Sequence, residues 1–322
     1  MKIAMLGLGS QPIPPPARGA IESIIWAYTT GLRNRGHEVE ILNVRPGRVA
    51  LALPRLLARG GFDWIWVHHG RMVRWANLWG RLFGVDVVHT SHRPVTDLEG
   101  LDWDTVRRIR MGARARHQLA LIPELLLTNR VLNLSCRVAH APNGVETGAF
   151  RVAPQGNGRA ICVGGISARK RQDQIARSLA GTGLVCDFVG PVDHPGPETA
   201  RVEALPEYKG EWTGEMLRQG LTDYSVFVLY SRSEAAQPLV VGEALAAGLS
   251  VVLSPESARH LDRSLPFVTI VHREEEIAGA ISAAAARNAE LRPQIVDYAR
   301  GTWDWAPKVA AVEERLLTWR AR

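Results

Sequence analysis

Several things are scarce in this chain, and each scarcity excludes something. No stretch approaches the roughly 18 apolar residues of a membrane-spanning helix. Cysteine occurs three times, at Cys136, Cys162 and Cys186; the number is odd, metal-ligand spacing is lacking, and each sits in or beside an apolar run. Neither a disulfide framework nor a zinc site is expected, and buried free thiols in a reducing cytosol fit best. Lysine is nearly absent, since 35 of the 39 basic residues are arginine, and no dense Lys/Arg run suggests a nucleic-acid arm. The first loop begins Gly7-x-Gly9 but lacks the third glycine of a dinucleotide fingerprint. It holds Pro12, Pro14, Pro15 and Pro16, and the second strand ends Leu42-Asn43-Val44-Arg45 with no carboxylate for a ribose. A nicotinamide oxidoreductase is therefore disfavoured. The start, from Lys2 to Gly9, makes a poor signal peptide and a good first strand.

What is present suits a soluble two-domain protein. The 322 residues are 46% hydrophobic and 22% charged, too long for one ordinary core and right for two. Charge is uneven: residues 1–150 carry 19 Lys/Arg against 11 Asp/Glu, whereas residues 151–322 carry 20 against 21. The basic first half points to an anionic partner, either a membrane surface or a polyanionic substrate. A GC-rich genome would produce the same arginine excess, and both readings stand.

In order, the chain reads as repeated strand–helix alternation. Strands are expected at 2–9, 38–44, 64–67, 86–90 and 137–141, with helices over 20–35, 51–59, 73–83 and one or two within 103–127, broken at Pro123. Residues 151–158 hold proline and glycine without periodicity and read as the interdomain linker. Strands are then expected at 160–163, 185–189, 226–230, 250–253 and 268–271, with a short one near Tyr208. Helices are expected over 173–179, 215–220, 239–247, 274–287 and 305–319, and 190–207, with four prolines, reads as a loop. This pattern predicts an α/β protein of two doubly wound, Rossmann-like domains, 1–152 and 159–302, with a C-terminal helix within 303–322 packing back on the first.

The stretch from Asp223 to Ser254 is the most informative. A buried strand leads into a polar loop with Arg232 and Glu234, Pro238 suits a helix start, and Glu243 lies on the helix that follows. In a doubly wound fold that loop opens at the carboxyl edge of the sheet, where ligands bind, and the N–H groups of Leu239 and Val240 favour an anion such as phosphate. The earlier loop carries Gly164-Gly165 and three consecutive cations, Arg169, Lys170 and Arg171, at the same edge. Taken alone the cations could be a solvated surface; beside helix N–H groups and carboxylates they suit a nucleotide diphosphate.

Four segments resemble the retaining glycosyltransferases of family 4. They are Leu32-Arg-Asn-Arg-Gly-His-Glu-Val39, Pro142-Asn-Gly-Val-Glu146 with Phe150, Val163-Gly-Gly-Ile-Ser-Ala-Arg-Lys170, and Ser233 to Gly248 with its two glutamates and Ala-x-Ala-x-Gly ending. They span most of the chain in the right order. The resemblance implies the GT-B fold, two facing Rossmann-like domains with an interdomain cleft, and a metal-independent hexosyltransferase moving a sugar from a nucleoside-diphosphate donor to an acceptor hydroxyl with retention. No cofactor is implied beyond the donor substrate. The acceptor, a small molecule, glycan or lipid-linked sugar, would fall to the first domain, and the location would be cytoplasmic, including the inner membrane face.

Residue by residue, Glu243 matches the ligand of the nucleotide ribose and Lys170 the lysine on the donor diphosphate. His92 matches the histidine near the donor sugar, although His68 and His69 end the preceding strand as rivals, and a hydrogen-bonded loop histidine is the plain alternative. Gly19 falls near the glycine-rich first-domain loop beside the phosphates, and the base would meet loops near Tyr208 to Trp212. Two departures stand out. Gly165 replaces the phosphate-loop arginine, leaving charge to Lys170 with Arg169 or Arg171. Eight residues separate Glu234 from Glu243, one too many, so that Ala235 occupies the first glutamate position in an ungapped register. Either the loop bulges and Glu234 still reaches the sugar, the reading preferred because loops tolerate an extra residue, or the contact is missing. In the latter case the chain would be a nucleotide-sugar-binding protein without transferase activity.

Overall fold

The computed structural model describes residues 1–16, 19–92, 103–124, 134–234, 237–259 and 261–320. It divides into two compact units, Met1–Asn143 with Trp305–Arg322, and Gly144–Asp304.

Among the described residues, the first unit is a sheet of six parallel strands: β1 (Lys2–Gly7), β2 (Glu38–Asn43), β3 (Trp64–Val67), β4 (Asp86–Ser91), β5 (His117–Ala120) and β6 (Arg137–His140). Their order is β2-β1-β3-β4-β5-β6. Helices α1 (Ala20–Asn34), α2 (Val49–Leu57), α3 (Gly70–Phe83) and α4 (Trp103–Gly112) connect them. Strands covered on both faces read as continuous apolar runs; Trp64, Ile65, Trp66 and Val67 of β3 are all fully buried. Tyr28 of α1 packs against Trp66 with ring centroids 4.8 Å apart. The last helix, α10 (Trp305–Arg320), completes this unit. Trp305 meets Tyr28 edge-on at 5.1 Å, Trp319 stacks on His117 at 4.7 Å, and Arg320 pairs with Asp63 at 2.6 Å.

The second unit holds β7 (Ala160–Val163), β8 (Cys186–Val189), β9 (Val226–Leu229), β10 (Ser250–Leu253) and β11 (Val268–Ile270), all parallel, in the order β11-β10-β9-β7-β8. Its helices are α5 (Gln172–Leu179), α6 (Pro197–Glu203), α7 (Gly214–Gly220), α8 (Leu239–Ala246) and α9 (Ile277–Trp303). Alternate residues of each strand feed two cores, Ile161, Phe227 and Val251 on one face and Cys162, Val228 and Val252 on the other.

Several boundaries differ from the sequence expectation. The division falls at Asn143 and Gly144 rather than in 151–158, because Val145 and Phe150 enter the second core and the Val145 N–H donates to the Trp303 carbonyl at 2.8 Å. Strand β5 lay unseen inside an expected helix, since His-Gln-Leu-Ala carries no β-branched residue. Helix α6 lay in the expected loop; Pro197 sits in its first turn, where a missing N–H costs nothing. Around Tyr208 there is a single bridge to Phe188 and no strand. Helix α9 continues past Arg287 to Trp303, across Pro293, because Leu291, Ile295 and Ala299 extend its buried row. Cys136 is half-buried, whereas Cys162 and Cys186 are buried.

Candidate functional site

In the second unit the first strand, β7, lies between β8 and β9, so the chain leaves β7 toward β8 and returns on the other side at β9. The crevice outside the carboxyl ends of β7 and β9 is therefore the topological switch point, the usual ligand position in such sheets. The two loops that the sequence singled out start there. A backbone bond from Arg232 N–H to the Arg169 carbonyl, 2.9 Å, ties one to the other.

The loop after β7 is tightly built. Gly164 N–H donates to the Val189 carbonyl and Ile166 N–H to the Pro191 carbonyl, both at 2.8 Å. Buried Gln172 staples the turn, its Oε1 accepting from Ser167 N–H at 3.3 Å and its Nε2 donating to the Gly165 carbonyl at 3.1 Å. Gly164 has φ 144°, and a Cβ there would come 2.5 Å from Lys170 Nζ, so glycine lets the ammonium lie against the backbone. A Cβ at Gly165 would overlap the Asp193 carboxylate. The place of the expected phosphate-loop arginine is thus closed by an acid. Arg171 adopts the left-handed φ of 54° at the start of α5, and its guanidinium lies 5.1 Å above the Tyr230 ring.

The two loops meet through charge. Glu234 Oε1 accepts from Ser231 Oγ at 2.6 Å and from Arg169 Nη1 at 3.2 Å, and lies 3.9 Å from Lys170 Nζ. The Lys170 and Glu234 side chains are each 12% exposed, while Arg169 is 46% exposed and also donates to the Ser233 carbonyl. Two cations thus share the Glu234 carboxylate, and the Asp193 carboxylate lies on the Gly165 side of the same cluster. Ala235 and Ala236, and with them the register of the extra residue, lie outside the described residues.

Helix α8 opens beside this cluster. Pro238 precedes it, no side chain caps it, and Leu239 and Val240 supply its first N–H groups. Gly242 faces Trp303 so closely that a Cβ would overlap the indole, which sets α8 down on α9. Glu243, one turn in, is half-buried, and no hydrogen bond reaches its carboxylate from the described residues. Burial pushes its pKa up to about 7, with the charge of Arg218 working the other way. The helix is anchored from below by Arg292 of α9, 1% exposed. Its guanidinium donates to the carbonyls of Tyr224 at 2.9 Å, Ala247 at 3.2 Å and Thr222, and to Asn288 Oδ1 at 3.0 Å.

His92 and Gly19 belong to the first unit. His92 follows β4; its Nε2 is 2.9 Å from His68 Nδ1, and the two rings stack at 5.2 Å. His68 Nε2 in turn lies 3.1 Å from Met5 Sδ. Burial, and then neighbouring His69, lowers His92 to about 4; burial, His92 and His89 hold His68 well below its ordinary value. Gly19, φ 155°, precedes α1.

Thus the structure brings Gly165, Arg169, Lys170, Arg171 and Glu234 into one loop cluster beside Leu239 and Val240, with Glu243 on the same helix. The sequence reading missed Ser231, Gln172 and Asp193. The Ser231-x-x-Glu234 spacing could have revealed the first; nothing local links Asp193 to Gly165.

No family model matches the chain, and no curated protein matches it by sequence. Solved structures do match in shape. Sucrose-phosphate synthase from Thermosynechococcus elongatus is 15% identical with a TM-score of 0.81, covering 100% of this chain and 99% of that one. Anabaena HepE in complex with UDP-glucose is 14% identical with a TM-score of 0.77, covering 99% of this chain and 100% of its own. AviGT4, a glycosyltransferase involved in avilamycin A biosynthesis, is 16% identical with a TM-score of 0.69, covering 100% and 98%. The chain has the α/β architecture these proteins share, the GT-B fold of two Rossmann-like domains.

Proposed function

We propose that the protein is a retaining, metal-independent glycosyltransferase of the family 4 type, moving a hexose from a nucleoside-diphosphate sugar to an acceptor hydroxyl. The observation that carries this reading is the meeting of Lys170, Arg169 and the α8 start at the switch point of the second sheet, with Glu243 on α8. Bond cleavage leaves charge on the diphosphate, and preorganised cations and helix N–H groups stabilise that charge where it develops. A carboxylate accepts two hydroxyl hydrogen bonds, which gives Glu243 the ribose and suits a carboxylate that receives no hydrogen bond from the described residues. His92, held neutral, suits a hydrogen bond to an uncharged sugar. The donor phosphate accepts the acceptor proton in this scheme, and the family resemblance supports that step.

Donor choice is tested with a panel of nucleoside diphosphates and their sugars, read by thermal shift, then by donor hydrolysis and transfer. EDTA leaves turnover unchanged if no metal takes part. A second reading, a nucleotide-sugar-binding protein without transfer, is favoured by one observation: Glu234 is already engaged by Arg169, Lys170 and Ser231. Glu234→Ala separates the two. Lost turnover with diphosphate affinity unchanged supports the enzyme; tighter diphosphate binding with no turnover in either protein supports the binder.

Among the described residues no helix is long and apolar enough to cross a membrane. We place the protein in the cytoplasm, with peripheral contact between its basic first domain and anionic membrane. Sedimentation with anionic liposomes tests this, and no salt-dependent binding rejects it.

A further inference from the structure

The first domain has a second charged concavity, at the amino edge of its sheet. It is an open cavity of about 750 Å³ beside Asp86, the first residue of β4, and the segment leading into β5. Arg81 of α3, Arg110 of α4, and Arg114 and Arg116 in the β5 approach line it, and Asp86 is the sole carboxylate among its lining residues. Arg116 lies 3.8 Å from Asp86; Arg81, Arg110 and Arg114 have no ion pair among the described residues. The Arg114 carbonyl is fixed by Asn77 Nδ2 at 2.8 Å.

Helix dipoles explain part of this. Arg81 and Arg110 occupy the last turns of α3 and α4, where a cation is favoured. They do not explain Arg114 and Arg116, which follow the end of α4 and line the same cavity. All four arginines are exposed and border one cavity, and an anion bound there would be attracted by their combined charge. Arginine forks match phosphate oxygens two at a time, and the volume lies within the usual range for small-ligand sites.

We propose that this cavity binds a phosphate-bearing anion, at a site separate from the second-domain loops. The anion is either a free phosphorylated compound or a phospholipid headgroup. Leu82 and Phe83, apolar and exposed at the end of α3, make the headgroup a concrete alternative source.

The test uses the full chain and inorganic pyrophosphate, followed by calorimetry. The background is Lys170→Gln, which weakens the second-domain site and keeps failure here distinct from failure of the donor assignment. Arg110→Gln with Arg114→Gln is expected to weaken the remaining binding by about tenfold or more. Binding unchanged within twofold, or no binding left in the Lys170→Gln background, overturns the proposal. Phosphatidylglycerol–phosphatidylcholine vesicles form the second arm: vesicle binding that falls with the double variant assigns a headgroup, and binding that does not fall assigns a free compound. If circular dichroism shows the double variant unfolded, Asp86→Asn decides. Removing the lone carboxylate should tighten pyrophosphate binding roughly two- to fivefold, and no change counts against the site.

Discussion

The two domains wind their first strands alike, with the second strand on one side and the third on the other, yet they dress the same carboxyl edge differently. The second domain gathers Arg169, Lys170 and Arg171 there, with Glu234 between two of them and Asp193 behind Gly165. The first gathers His68 and His92 against Met5, imidazoles that burial keeps neutral. The scaffold supplies a crevice in both cases, and the loop residues decide what enters it. A charged crevice suits a diphosphate; a neutral, hydrogen-bonding one suits sugar hydroxyls.

Several experiments break or sharpen this contrast. The largest effect is expected beneath the charged site. Arg292→Met strips donors from the buried carbonyls of Thr222, Tyr224 and Ala247 and should cost about 3–5 kcal/mol in denaturant unfolding; a loss under about 1 kcal/mol would mean that the clamp is redundant. Next, Lys170→Ala should lower kcat/KM for the donor about a hundredfold, roughly 3 kcal/mol, while nucleoside affinity without phosphates stays unchanged.

Glu243 gives a pH-dependent effect. Its folded pKa, about 7, lies above the ordinary carboxylate value. The folded state therefore binds more protons than the unfolded chain, and stability falls as pH rises from the ordinary value through about 7. Glu243→Gln removes that penalty and should stabilise by roughly 1–3 kcal/mol at pH 8 with little effect at pH 5. Donor affinity should rise with pH across 6 to 8 as the carboxylate ionises, by at most about tenfold, and lose that step in Glu243→Gln. The smallest effect is the absence of one: His92, near pKa 4, should add no step between pH 5 and 8. A step that survives in Glu243→Gln would show the first-domain crevice to be charged after all.

Much of this arrangement was legible in the chain. Val226–Leu229, Ser250–Leu253 and the start of α8 at Leu239 lie where apolar runs and Pro238 put them, because local pattern and tertiary burial agree there. Strand β5 was hidden because its place between β4 and β6, and not its composition, makes it a strand. The cations of the candidate site were visible as a run. Their shared partner was not, since the pairing of Lys170 with Glu234 joins residues 64 positions apart through the adjacency of β7 and β9. The Asp193 carboxylate behind Gly165 was invisible for the same reason.

The central claim is that the second-domain switch point holds a nucleoside diphosphate. Calorimetric titration of the full chain with a panel of nucleoside diphosphates tests it most directly. At least one is expected to bind with one-to-one stoichiometry, and Lys170→Ala and Glu243→Ala should each weaken that binding about tenfold or more with the fold intact. Binding by none of the panel, or equal binding by wild type and both variants, would contradict it.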